Sequence, residues 1–199
     1  TTDENALAEL RAAKDQLVES YIENYLVNTA GKVVYMKFVE GNFIRVNQPG
    51  DMKIGGKYGF FGTDAEGSKI DGYVIESDID FSGVTLTMSD SFSGVIYGNY
   101  HTLSNLKLSL ASKKVDKDTE KSLALFNELS DTTIDNLTFE NAAISIQVDQ
   151  GVTVKAALLA LNAKNVTLTN VKISGMTIDS GKGDTAGTRY TLGDLFVTA

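Results

Sequence analysis

The chain has 199 residues, 42% of them hydrophobic and 22% charged, with a formal net charge of −8. That charge argues against nucleic acid or an anionic membrane as the main partner. There is no cysteine and a single histidine, His101, which excludes disulfides, thiolate chemistry, cysteine-ligated zinc and a histidine-rich metal centre; no apolar run approaches the ~20 residues of a membrane-spanning helix.

Residues 2–28 read as one amphipathic helix. Leu7, Leu10, Leu17, Val18, Tyr21, Ile22 and Tyr25 fall at helical spacing between charged residues. Thr1 and Glu4 have capping-box spacing, and Asn28 and Gly31 suit its end. Residues 33–39 and 43–46, β-branched and aromatic on either side of Glu40-Gly41-Asn42, predict a hairpin. Residues 47–72, rich in glycine but carrying Met52, Ile54, Tyr58, Phe60 and Phe61, predict an ordered loop region with short strands. The expected organisation is a helix over 1–30, acting as cap or stem, a hairpin and loop region over 31–72, and a repeat region over 73–199.

The repeat region rests on one recurring stretch. Thr102-Leu103-Ser104-Asn105-Leu106-Lys107-Leu108 returns as Thr133-Ile134-Asp135-Asn136-Leu137-Thr138-Phe139 and as Thr167-Leu168-Thr169-Asn170-Val171-Lys172-Ile173, so that the asparagines lie 31 and 34 residues apart. Such a period signals a solenoid. Within each stretch Leu106, Leu108 and Leu110 alternate as on a strand with one buried face. Leu103 and Leu106 are an odd step apart, so for both to point inward the chain must turn a corner at Ser104-Asn105. A second set, Leu125-Phe126-Asn127, Ala160-Leu161-Asn162 and Leu195-Phe196-Val197, recurs every 35 residues. Strand, asparagine corner and strand once per turn predict a mainly β parallel β-helix. Its structural ladders are Asn105, Asn136 and Asn170 beside Thr102, Thr133 and Thr167. The odd spacing also fits a leucine-rich repeat, but the period is too long, and Ala111, Ala142 and Met176 stand where that repeat wants asparagine. Leu195-Phe196-Val197 falls in mid-repeat, so two expectations stand: the chain is a piece of a longer protein, or its last strand pairs with something else.

Asp78-Ile79-Asp80-Phe81-Ser82-Gly83, followed by Phe92-Ser93-Gly94-Val95-Ile96-Tyr97-Gly98-Asn99-Tyr100-His101-Thr102-Leu103-Ser104-Asn105-Leu106, resembles a segment of bacterial surface proteins that carry GLUG-type repeats. Leu125-Phe126, Leu161 and Leu195-Phe196 stand where those proteins have their glycine-flanked Leu-Phe pair. The resemblance covers residues 73–199. It implies a right-handed parallel β-helix, shaped like the pectate lyases, in a secreted or wall-attached adhesin-like module. It implies no catalytic residues, and His101 as a structural hydrogen-bonding residue.

For chemistry, enzymes built on such a scaffold place carboxylates on one outward face of neighbouring turns. The expected outward columns are Ser104/Asp135/Thr169, Lys107/Thr138/Lys172 and Ser109/Glu140/Ser174, none of which collects two carboxylates. Asp78 and Asp80, with Asp90, could assemble a Ca²⁺ site; such a D-x-D is read first as a strand-start device, so no metal or cofactor is assigned. The sequons Asn136-Leu137-Thr138 and Asn165-Val166-Thr167 are taken as coincidental. The leading expectation is a non-catalytic binding or structural module on a bacterial surface. Its partner would be a polysaccharide or a host or cell-surface protein, met by the loops Ser112–Lys121 and Asp179–Arg189. The alternatives are a polysaccharide lyase or glycoside hydrolase on the same fold, and an oligomeric fibre or tail-spike segment with helix 2–28 as its stem.

Overall fold

The computed structural model describes residues 8, 11–12, 41–112, 120–148, 151–180 and 188–198. The chain divides into two units, Thr1–Glu40 and Gly41–Ala199. In the first, Ala8, Arg11 and Ala12 are helical; the remainder of the predicted helix, and the 33–39 arm of the predicted hairpin, lie outside the described residues.

The second unit is mainly β and built from parallel sheets, a solenoid-like arrangement. The first sheet runs Phe43–Val46, Gly72–Ile75, Val95–Tyr97, Phe126–Asp135, Ala160–Thr169 and Phe196–Thr198, with Ser89–Phe92 also paired to Phe126–Asp135. The second is Ile79–Asp80, Thr102–Ser104, Thr138–Glu140 and Lys172–Ser174; the third Lys107–Ser112, Ala143–Val148 and Thr177–Asp179; the fourth Glu120–Leu123, Thr153–Ala157 and Arg189–Gly193. From Val95 onward the chain visits first, second, third and fourth sheet in that order and returns to the first, each visit adding a rung about 4.8 Å further along. The step from Thr133 to its partner Thr167 is 34 residues, and from Val95 to Thr133 it is 38. Earlier rungs are shorter. Gly72 to Val95 is only 23 residues, because the chain passes from Ile79–Asp80 to Ser89–Phe92 without entering the third or fourth sheet.

The corners are set by residues that tolerate a left-handed backbone. In one rung these are Asp131, Asn136 and Asn141, with φ of 48°, 48° and 52°; in the next they are Asn165, Asn170 and Gly175, with φ of 54°, 51° and 68°. Each lies five residues from the last. Asparagine, aspartate and glycine carry the smallest steric penalty there. At two of these corners the amide bonds to the following rung: Asn136 N–H donates to Thr169 O (2.9 Å) and Asn141 N–H to Ser174 O (2.8 Å). Between corners the residues alternate in and out, and the inward ones form a continuous core that includes Ile96, Leu103, Ile134, Leu137, Phe139 and Ile144. Toward its early rungs the core is aromatic. Phe60, Tyr73, Phe92 and Phe126 are packed with ring centroids 5.0 to 5.8 Å apart.

Three expectations are corrected. Phe43–Val46 pairs in parallel with Gly72–Ile75, so the repeat architecture begins inside the stretch that the sequence assigns to a separate hairpin and loop region. The ladder of Asn105, Asn136 and Asn170 is not one ladder. Asn136 does sit beside Asn170, and Thr133 beside Thr167. Thr102-Leu103-Ser104, however, pairs with Thr138-Phe139-Glu140, which brings Asn105 to the Asn141 corner and Thr102 to Thr138. Finally, Ala160 rather than Leu161 stands between Phe126 and Phe196, so the middle member of the second set is one residue out of the expected 35-residue register.

Candidate functional site

The outer surface of the second sheet gathers most of the polar residues singled out from the sequence. Asp78 precedes the strand Ile79–Asp80 and reaches the next rung. Its Oδ1 accepts from the Thr102 backbone N–H at 2.8 Å and lies 3.2 Å from His101 Nδ1. The Thr102 amide, then the His101 ring, hold its carboxyl below the usual carboxylate range. Two residues on, Asp80 Oδ1 accepts from Asn105 Nδ2 at 2.8 Å, from Ser82 Oγ at 2.7 Å and from Ser82 N–H at 2.9 Å. These bonds, that from Asn105 first, lower its pKa in the same way. His101 is tied down through its backbone as well: its N–H donates to Gly98 O (2.8 Å) and its carbonyl accepts from Thr138 N–H (3.1 Å). Asp78, Asp80, His101 and Asn105 therefore clip adjacent rungs together.

Asp90 is not part of this group. It lies on Ser89–Phe92, in the first sheet, with its side chain exposed. Among the described residues no three His, Asp or Glu side chains are placed to hold a metal ion.

The observed register changes the outward columns. Asp80, Ser104, Glu140 and Ser174 now stack in the second sheet, so two carboxylates share a column with a serine between them, about 10 Å apart at two rungs. Tyr97, Asp135 and Thr169 form a column of the first sheet, and Ser109 and Ser145, followed by Asp179, one of the third. The expectation that no column holds two carboxylates fails because Glu140 belongs with Ser104 rather than with Ser109.

Amide side chains also join the rungs, and of these pairs Asp131–Asn165 escaped the sequence reading. Asn165 Nδ2 donates to Asp131 Oδ1 (2.6 Å), Asn170 Nδ2 to Asn136 Oδ1 (3.0 Å), and Asn162 Nδ2 to Asn127 O (3.3 Å). In each the later rung donates to the earlier. The five-residue recurrence of Asn, Asp and Gly over 131–141 and 165–175 was the available signal.

Two surface features remain. Tyr100 is 77% exposed and sits at φ 65°, directly after Asn99 at φ 49°, an uncommon conformation for a bulky side chain. Its N–H donates to Asn136 O at 2.7 Å, which holds the backbone in place. The second feature is a groove of about 280 Å³ lined by Gly83, Val84, Thr85, Leu86, Lys107 and Ser109. It lies where the short early rung bypasses the third sheet. The two predicted contact loops both leave the third sheet at its border with the fourth, one after Ser112 and one after Asp179. Residues 113–119 and 181–187 of those loops lie outside the described residues.

Set against known proteins, the chain matches no family model, no curated protein and no solved structure.

Proposed function

We propose that the chain forms a right-handed parallel β-helix that serves, without catalysis, as a binding or structural module, secreted or at a bacterial cell surface. Its partner would be a polysaccharide or a cell-surface protein. The observation that carries this reading is the use made of the polar outer residues. Asp78, Asp80, His101 and Asn105, the groups best suited to chemistry, bond from rung to rung. Carboxylates held below their usual range by such bonds are poor proton donors. Strand ends at Ser112 and Asp179, where the two predicted contact segments begin, lie at one border of the third sheet and support a contact face there, since solenoids present binding residues on loops that leave one face.

One observation favours a second reading, a glycoside hydrolase: Asp80 and Glu140 share a column at a separation near that of a carboxylate pair flanking a glycosidic bond. It requires one of the two to be a proton donor, and Asp80 is stabilised in its charged form. Both readings are tested together by incubating the protein with immobilised polysaccharides and intact bacterial cells while measuring retention and the release of reducing ends. Retention without release is expected. Release of sugar that stops in Glu140→Gln replaces the module with the hydrolase.

A further inference from the structure

The third sheet has an edge that the early rungs leave uncovered. Lys107–Ser112 pairs with Ala143–Val148 on one side and is the terminal strand of its sheet among the described residues. The phase of its backbone follows from the bond of Ala143 N–H to Leu106 O at 2.8 Å. In a parallel ladder the residues of even number, Leu106, Leu108 and Leu110, then point their polar groups at Ala143–Val148. Lys107, Ser109 and Ala111 point their N–H and C=O groups the other way, toward the open edge. Two of these residues, Lys107 and Ser109, line the groove whose opposite wall is Gly83–Leu86.

The side chains around the edge define what fits it. Leu108 is 1% exposed, whereas the next inward residue, Leu110, is only half-buried, although its partner Ile146 in the following rung is fully buried. Val84 and Leu86, also half-buried, form the apolar part of the wall. On the outer side Lys107 is exposed and makes no ion pair among the described residues. A chain with N–H and C=O groups on one edge, apolar side chains facing inward and acidic ones facing outward meets each of these features at once. Strand addition to an open sheet edge is an established mode of peptide recognition, with backbone bonds giving affinity and alternate side chains giving specificity.

We infer that the Lys107–Ser112 edge takes up an extended segment of a partner protein as an added strand, apolar at alternate positions and acidic at the others, with an acidic side chain paired to Lys107. This rests on the reading of the chain as a binding module and names its partner as a protein segment.

The test uses the whole chain and three capped heptapeptides in which valine alternates with glutamate, with lysine or with serine. Binding is followed by fluorescence anisotropy and by backbone amide exchange. The valine–glutamate peptide is expected to bind at least 10-fold more tightly than the valine–lysine peptide and to slow exchange at Lys107, Ser109 and Ala111. Lys107→Glu should reverse the preference between those two peptides. Ser109→Pro removes only an edge-facing donor, a substitution edge strands tolerate, and should weaken binding at least 10-fold with the thermal transition retained. The inference is overturned by no binding of the valine–glutamate peptide, by equal binding of the lysine peptide, or by protection at other strand edges instead. Retention of polysaccharide in the preceding experiment with no peptide binding here overturns this inference and leaves the module reading standing.

Discussion

Six non-glycine residues at the corners, Asn105, Asp131, Asn136, Asn141, Asn165 and Asn170, hold φ between 48° and 58°. A left-handed backbone costs an ordinary residue about 1–2 kcal/mol, and a typical side-chain hydrogen bond contributes about 1 kcal/mol. At Asn136 both terms apply, since its Oδ1 accepts from Asn170 Nδ2. Asn136→Ala should therefore cost about 2 kcal/mol in urea unfolding and Asn136→Gly roughly half that. Equal costs for the two would mean that backbone strain is not what selects asparagine. Tyr100 presents the opposite case: it carries the same strain at φ 65° with its ring in solvent. Strained exposed residues gather at functional sites. Tyr100→Gly is expected to raise stability by about 0.5–1 kcal/mol, strain relief less the entropy of glycine, and a loss of surface retention in the same variant would mark the ring as a contact residue.

At the scale of strands and corners, much of the architecture was legible. Period-two alternation in Leu106, Leu108 and Leu110 gave the third sheet its inward face, and the odd step across Asn105 located a true corner. The register was legible only in part. Three corners follow one another at five-residue intervals, each preceded by similar text, Thr133-Ile134-Asp135 at one and Thr138-Phe139-Glu140 at the next. Matched by text, Thr102-Leu103-Ser104 fits either, and the better literal match, Thr133, is not its partner. Packing chooses Thr138. One reason can be seen at Gly98, which occupies the position of Asn136 one rung earlier. A Cβ added there would lie 2.4 Å from Asn136 O and 2.6 Å from Leu137 Cβ, so the two rungs approach closely only because Gly98 has no side chain. Gly98→Ala should cost about 3 kcal/mol, the upper range for overpacking, measured as a lowered denaturation midpoint. A cost below 1 kcal/mol would show that the rungs can separate freely at this corner.

For the whole molecule, the pH range of stability follows from which charges join the rungs. Asp64, Asp78 and Asp80 all have pKa values lowered by hydrogen bonds, led by Asn42 at Asp64, the Thr102 amide at Asp78 and Asn105 at Asp80. A depressed carboxylate contributes stability that is present above its unfolded pKa and lost as pH falls through the folded value. Acid unfolding should therefore set in below about pH 4, and Asp80→Asn should flatten that limb; an unchanged acid limb in the variant would show that Asp80 contributes nothing to it. At the alkaline end Tyr73, buried beside Phe60 and Phe92, has its pKa pushed up by burial to about 12, with the Phe61 backbone bond acting in the opposite sense. A raised pKa on an acid contributes stability that is full below the unfolded value and disappears as pH rises toward the folded one. Between pH 10 and about 12 the protein should lose about 2–3 kcal/mol, and Tyr73→Phe should remove that dependence while forfeiting the bond from its hydroxyl to Phe61 O. Phenolate absorbance followed through the same range checks the assignment.

The sequence by itself determined what depends on neighbours along the chain: a mainly β character, an inward face on each strand, and corners at residues that accept a left-handed backbone. These are local properties, because alternation and φ tolerance act within a few residues. Only the tertiary structure decided which corner lies on which, that Asp78 reaches His101 and Asp80 reaches Asn105, and that a short early rung leaves the Lys107–Ser112 edge without a paired strand among the described residues. Each of these depends on contacts between residues more than twenty positions apart. A repeating local text carries no absolute phase with which to fix them; steric fit and hydrogen bonding between rungs supply it.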